Sequence, residues 1–328
     1  MRTSHCGNMQ VLNNSNSNIT STSVENQVST ALLSLCFLIG IPGNIVVVVV
    51  ILRHFKKDNF TLDLMLNLAV SDILCLSTLP AWIYDVNVDQ SISPALCKFL
   101  ISLIFTSMYS DVLTVTLMSV QRYLVVIHRN QWAKLGRKQE KILLFCLWIF
   151  ACILSSPSAA RAQIVGQGNY CMRISGLDQE TLAILLCETL LGFVLPFSII
   201  VSSYYCLHKE VNRTAFFSNQ RLTKLVTTIV VTFVILRLPV HVINIVKILA
   251  ISLKSANPSA SAKLLYLWDC SNDFVHSFTL LNSCVNPFLY ACTFRQLFQN
   301  SGKQERSGVC TQSSEPRTPT QMHACLHI

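Results

Sequence analysis

Long apolar runs separated by short polar and basic segments set the plan of this chain. Stretches such as Leu32 to Leu52 and Ile142 to Leu154 are apolar around the whole helical circumference, whereas a helix on the surface of a soluble protein keeps one polar face. About 20 such residues cross the hydrocarbon core of a bilayer. Seven segments qualify, at about 28–52, 62–84, 96–127, 141–158, 181–207, 222–251 and 264–292. The pattern predicts an all-α bundle of seven transmembrane helices, whose odd number places the two chain ends on opposite sides of the membrane.

The polar segments orient the bundle. Arg53, Lys56 and Lys57 follow the first span, Arg129, Lys134, Arg137 and Lys138 the third, and Lys209, Arg213 and Arg221 the fifth; loops rich in Lys and Arg stay in the cytoplasm. The amino terminus is then outside, where Asn13-Asn14-Ser15 and Asn18-Ile19-Thr20 form glycosylation sequons,. Asn212-Arg213-Thr214 falls inside and is expected to stay unmodified. Residues 1–27 are read as an extracellular glycosylated segment and 28–292 as the membrane domain of a multi-pass plasma-membrane protein. Without a basic start followed by an apolar run, the first span is expected to act as its own insertion signal. Apolar residues beside a base in Phe294-Arg295-Gln296-Leu297-Phe298 predict a short amphipathic helix on the inner leaflet over 293–300,. Residues 301–328 read as a disordered cytoplasmic tail, with Thr311, Ser313, Ser314, Thr318 and Thr320 open to phosphorylation and Cys310 and Cys325 to palmitoylation.

Composition agrees and removes alternatives. The 328 residues are 52% hydrophobic and 12% charged. The net charge of +9 sits in the loop clusters, with no basic groove of interleaved aromatics for nucleic acid,. Most of the fourteen cysteines lie inside apolar runs, where a thiol behaves as a small hydrophobe,. No HExxH helix, nucleophile elbow or phosphate loop points to an enzyme, nothing calls for a cofactor, and no internal repeat suggests a transporter of two inverted halves.

Several motifs in order on these spans resemble the rhodopsin-like (class A) G-protein-coupled receptors. Leu66-Asn67-Leu68-Ala69-Val70-Ser71-Asp72 matches the second-helix motif and Asn286-Pro287-Phe288-Leu289-Tyr290 the NPxxY of the seventh. Gly43-Asn44, Arg122-Tyr123, Trp148, Pro196 with Tyr204, and Pro239 fall where the family has them, so the resemblance covers roughly Gly40 to Phe298. Within the family, Ser107-Met108-Tyr109, Glu188 with Gly192-Phe193-Val194-Leu195-Pro196, and Leu238 to Asn244 are similar to leukotriene B4 and neighbouring chemoattractant receptors.

The resemblance implies a disulfide from Cys97 to Cys171, closing the second extracellular loop over a pocket. Cys6 and Cys270 either form a second bridge or remain thiols. It implies an inhibitory-class heterotrimeric G protein received by a switch of Gln121, Arg122, Tyr123, Tyr204, Pro239, Asn286, Pro287 and Tyr290, with arrestin and receptor kinase acting on the tail. The ligand is expected to be a lipid mediator, with a chemoattractant peptide as alternative. Arg161, Glu188, Arg237, His241, Asn244, Asn272 and His276 are the candidate polar contacts. Leu280 stands where a retinal lysine would be and Ile104 where an amine receptor has its acid.

A carboxylate at membrane depth costs about 2.5–3.5 kcal/mol, so Asp72 must face partners in the bundle. Asn282 and Asn286, four residues apart on one face, complete with Asp72 either the sodium site of the family or a water-bridged cluster. Two departures alter this interior. Gln121 replaces the acid before Arg122, which weakens the lock on that arginine. Arg237 replaces the tryptophan two residues before Pro239, and a buried guanidinium needs an acid. Asp111, eleven residues before Arg122 and three turns away on the same face, is the candidate partner. The expectation is an Arg237–Asp111 pair that reaches toward Asp72 and disfavours sodium, with direct contact of Arg237 to an acidic ligand as the alternative. Both departures keep a non-signalling scavenger or decoy receptor in view.

Overall fold

The computed structural model describes the backbone of residues 17–54, 59–87, 93–128, 136–165, 170–173, 177–211 and 220–312, and fewer of the side chains. Its elements are α1 (Ser17–His54), α2 (Phe60–Leu76), α3 (Leu79–Asn87), α4 (Pro94–Ile127), α5 (Arg137–Ala160), β1 (Ala162–Val165), β2 (Tyr170–Arg173), α6 (Asp178–Thr189), a π-helical turn (Leu190–Val194), α7 (Leu195–Val211), α8 (Gln220–Leu253) and α9 (Pro258–Gln312). Among the described residues, six stretches are long and apolar enough to cross a membrane: Thr30–Arg53, Phe60–Tyr84, Pro94–Ile127, Arg137–Ala160, Asp178–Lys209 and Lys224–Leu253. The seventh expected span, 264–292, is the inner part of α9.

The bundle is polar inside and apolar outside. Asn44, Ser71, Asp72, Asp111, Arg237, Asn282 and Asn286 are buried, while Leu38, Phe145, Tyr205 and Phe274 each leave two thirds or more of their surface outside. Water would oppose that arrangement and a lipid solvent favours it. Two apolar clusters bracket the polar interior. One, including Met65, Leu68, Val115, Met118, Val226, Ile229 and Tyr290, fills the half of the bundle near Arg122. The other, including Leu33, Leu76, Trp82, Leu100 and Leu280, fills the half near the β1–β2 hairpin.

Neutral hydrogen bonds clamp the helices between these layers. Trp148 Nε1 donates to Asn67 Oδ1 at 2.8 Å and Asn67 Nδ2 to Thr114 Oγ1 at 2.7 Å, joining α5, α2 and α4. Asn44 Nδ2 donates at 2.9 Å both to the Gly40 carbonyl of its own helix and to the Ser283 carbonyl of α9.

Two spans expected to be continuous are interrupted. The second breaks between α2 and α3: Thr78 donates its N–H to Cys75 O at 3.2 Å and its hydroxyl to the same carbonyl at 2.7 Å. Pro80 has no N–H for the next helical bond. The fifth widens into the π turn, where the Leu195 N–H reaches back to Leu190 O just before Pro196 withholds its own. The last helix departs from expectation in the opposite sense. It runs unbroken through 293–300 and on to Gln312, within the segment read as a disordered tail.

The loop before the fifth span folds as an antiparallel hairpin pairing Ala162 with Arg173 and Ile164 with Cys171. Cys171 is disulfide-bonded to Cys97 in the first turn of α4, as the resemblance implied. Cys270 is also disulfide-bonded, so it is not a free thiol; its partner, like Cys6, lies outside the described residues. Asn13, Ser313, Ser314, Thr318, Thr320 and Cys325 lie outside them too, as do the side chains of Asn18, Cys310 and Thr311.

Close helix approach fixes Gly40. A Cβ on Gly40 would lie 2.5 Å from Leu76 Cδ1 and 3.1 Å from Cys284 Sγ, whereas one on Gly136 would meet only the flexible end of Gln139. Gly40→Ala is therefore expected to destabilise the receptor by about 1–3 kcal/mol, and Gly136→Ser, at a helix N-cap, to leave stability unchanged or slightly raised. Thermal unfolding in detergent reads both. Equal midpoints for the two variants would contradict the packing described.

Candidate functional site

Between α4, the fifth span, α8 and α9 lies a cleft with about 400 Å³ of empty space, part of it open to solvent. α4 lines it with Phe105, Met108, Tyr109 and Val112; the fifth span adds Glu188 and Gly192, α9 adds His276, and α8 adds Arg237, Val240, His241 and Asn244. On α8 the polar members stand at i, i+4 and i+7, which aligns them as one stripe, facing a mostly apolar wall. The π turn carries Gly192 into this wall, where its Cα leaves room beside His241 and Tyr109. His241 stacks on Phe193 with ring centroids 4.8 Å apart, and its Nδ1 has no hydrogen-bond partner. Glu188 accepts from Ser158 Oγ at 2.8 Å.

Five of the seven expected ligand contacts thus share one cavity: Glu188, Arg237, His241, Asn244 and His276. Arg161 does not join them. It ends α5 and is ion-paired with Glu180, an acid 19 residues away that no helical periodicity announces. The Asn272 side chain lies outside the described residues. Two neighbours went unforeseen. Tyr109 belongs to a segment singled out above but not to the candidate contacts. Lys247 lies three residues beyond Asn244, so extending the α8 stripe by one turn would have found it. It is buried with its Nζ 3.4 Å from the centre of the Trp268 ring, a cation–π contact.

Below the cavity is a charged core. Arg237 and Asp111 are 4% and 2% exposed and form a salt bridge of 3.6 Å between Nη2 and Oδ2. Arg237 Nη2 also donates to Met108 O at 3.3 Å, and the guanidinium lies 5.2 Å from the Phe233 ring centre. Arg237, standing where the family has a tryptophan, is thus answered by Asp111. Asn286 Nδ2 donates to Asp72 Oδ2 at 2.8 Å. The described ion pairs of Arg237 do not include Asp72, so the expected reach toward that acid is not a contact.

Asp72 Oδ1, Asp111 Oδ1 and Asn282 Oδ1 have no hydrogen-bond partner. Two acids against one base leave one negative charge, and unpartnered carboxylate and amide oxygens are the donors a hard monovalent cation takes. On donor chemistry Asp72, Asn282 and Asp111 fit sodium, while the guanidinium beside Asp111 opposes it. No group of three His, Cys, Asp or Glu suited to another metal occurs among the described residues.

At the far end, Arg122 Nη2 donates to Thr61 Oγ1 at 2.9 Å, and Thr61 Oγ1 donates to Gln121 Oε1 at 3.1 Å. Gln121 and Arg122 are thus linked by a two-step neutral bridge through α2. Tyr290 is fully buried and Tyr204 packs against the same cluster, while Tyr123 meets His128 edge-on at 5.7 Å. Pro239 and Pro287 lie within α8 and α9.

A family model described as "7 transmembrane receptor (rhodopsin family)" matches residues 43–290. This chain belongs to the rhodopsin family of G-protein-coupled receptors. Similar proteins include the human type-2 angiotensin II receptor, 30% identical over 284 residues covering 80% of this chain and 75% of that receptor. Human leukotriene B4 receptor 1 is 30% identical over 277 residues, 83% of this chain and 78% of the other. Bovine somatostatin receptor type 5 is 30% identical over 280 residues, 80% and 72% respectively. The chain is therefore a multi-pass membrane receptor of a signalling family and not an enzyme.

Two predictions follow from this receptor's interior. Asp111→Asn and Arg237→Trp each strand a buried charge, at a cost of about 3–5 kcal/mol, and each should lower surface expression while the double variant recovers. Losses that simply add would refute the coupling. Gln121→Asp offers Arg122 a charged partner and should reduce ligand-free signalling; an unchanged baseline counts against a weakened latch.

Proposed function

We propose that this receptor sits in the plasma membrane with its amino terminus outside, binds an amphipathic lipid mediator of the leukotriene B4 class in the α4–α8 cavity, and activates an inhibitory-class G protein. The observation that carries the reading is the cavity itself: apolar walls facing one polar stripe of α8, the lining expected for a long hydrocarbon with a few oxygens along one side. The likeness to leukotriene B4 receptor 1 supports it, as does the distribution of basic residues for orientation. Glycans on Asn13 and Asn18 and tail contacts with arrestin and receptor kinase belong to the same proposal.

Ligand binding would act by population shift, favouring conformations in which the end bearing Arg122, Tyr204 and Tyr290 opens to admit a helix of the G protein. Sodium at Asp72, Asn282 and Asn286 belongs to this reading in reduced form, because Arg237 already supplies one counter-charge. A second reading is favoured by Glu188, an acid on the cavity wall that suits a cationic peptide. The likeness to receptors named for angiotensin and somatostatin is compatible with it.

A calcium and cAMP screen across leukotrienes and chemoattractant peptides, with ligand internalisation read in parallel, tests the assignment. A fall in cAMP with leukotriene B4 or a related lipid is the expected result. A response confined to peptides overturns the lipid class, and uptake without G-protein activation identifies a scavenger.

A further inference from the structure

We propose that the floor of the cavity is a carboxylate-binding site, in which Arg237 anchors the acid group of the ligand and Asp111 positions Arg237. The proposal rests on reading the cavity as a ligand site and adds which group of the ligand goes where.

Arg237 is 4% exposed, yet it lines the cavity, so what it presents faces that space and not bulk solvent. A guanidinium carries five N–H donors in a planar fork. Only Nη2 is engaged, by Met108 O at 3.3 Å and Asp111 Oδ2 at 3.6 Å, and Nε has no hydrogen-bond partner. Buried donors without acceptors are costly, and a carboxylate is the charged acceptor that pairs most strongly with a guanidinium. Asp111 and Met108 O keep Nη2, which belongs to both bidentate edges of the fork, so an incoming acid takes a single charge-assisted bond from Nη1. The pair need not break.

Of the described cations near this end of the bundle, Lys98 and Lys263 are exposed at the outer ends of α4 and α9, and three others are committed elsewhere. Arg161 is held by Glu180, Lys254 by Asp178 at 2.5 Å, and Lys247 lies over the Trp268 ring. Glu188 lines the same cavity and repels an acid from its own wall, which steers a carboxylate toward Arg237. Above Arg237, His241 and Asn244 continue the stripe through about 10 Å of helix and offer hydrogen bonds to hydroxyls further along the ligand. Phe105 and Val112 give the hydrocarbon an apolar wall. The ligand this describes is a long-chain carboxylic acid, oxygenated along one side, that enters acid first.

The test is thermal unfolding of the purified full-length receptor with leukotriene B4 and with arachidonate, each compared with its methyl ester. Both acids should raise the midpoint, by about 5 °C near saturation, and the esters should lose most of that shift. Because Arg237→Gln alone strands Asp111 and risks misfolding, the variant arm uses Asp111→Asn with Arg237→Gln, which removes both charges together. In that receptor acids and esters should act alike. Equal shifts by acid and ester in the unmodified receptor, full acid selectivity in the double variant, or no shift with either acid would each overturn the anchor. Acid-selective stabilisation without any signalling response to leukotriene B4 would support the anchor and overturn the G-protein activation proposed above.

Discussion

A guanidinium held away from water inside a lipid-embedded bundle must be answered by negative charge from another helix, and much of this interior is arranged around that demand. Arg237 on α8 meets Asp111 on α4 with both side chains almost fully enclosed. Desolvating two ions costs several kcal/mol each, and only their mutual attraction and further hydrogen bonds offset it. The pair therefore fixes how α4 and α8 approach one another. It also forms the floor of the cavity above and the boundary of the Asp72–Asn286 network beside it. A base at 237 and an acid at 111 leave the net charge of the core at one negative, the same as a core with Asp72 alone.

Polar contacts in this receptor come in layers separated by apolar ones. The cavity with its α8 stripe is followed by the Arg237–Asp111–Asp72 core, then by the cluster around Met118, Ile229 and Tyr290, then by the Arg122–Thr61–Gln121 bridge. Each polar layer makes its contacts between different helices, so a change in one helix-to-helix distance is felt by the layers on either side. Because close-packed interiors switch between arrangements more readily than they deform, such a stack suits a two-state response to a ligand.

The spans were legible because lipid demands apolar length, a property of composition that survives without any neighbours. The ion pair was legible for a related reason: Arg237 and Asp111 are each untenable alone in hydrocarbon, and helical rise puts Asp111 on the face of Arg122. Local backbone events were not. The break at Thr78 and the π turn at Leu190–Val194 depend on how Pro80 and Pro196 dispose of the bonds they cannot make, and an apolar run looks the same either way. Arg161 was misplaced because its partner, Glu180, comes from a different element across the hairpin. Thr61 was missed as the bridge to Arg122 because a threonine at the start of an apolar helix carries no sign of what faces it.

Gln121 and Asp111 lie on the same helix, α4, and bear on the same problem. At Gln121 the helix loses a charge that would have held Arg122, and the bridge that replaces it is built of a hydroxyl and an amide, each bond weaker than its ionic counterpart. At Asp111, about 15 Å along the same helix, it gains a charge that holds α8. The neutral bridge ties α4 to α2, whereas the ionic one ties α4 to α8. Restraint on the bundle has thereby moved from the end that would meet a G protein to the floor of the cavity that would meet a ligand. A ligand acid that shares Arg237 then acts directly on the restraint, with no intervening aromatic to relay its effect.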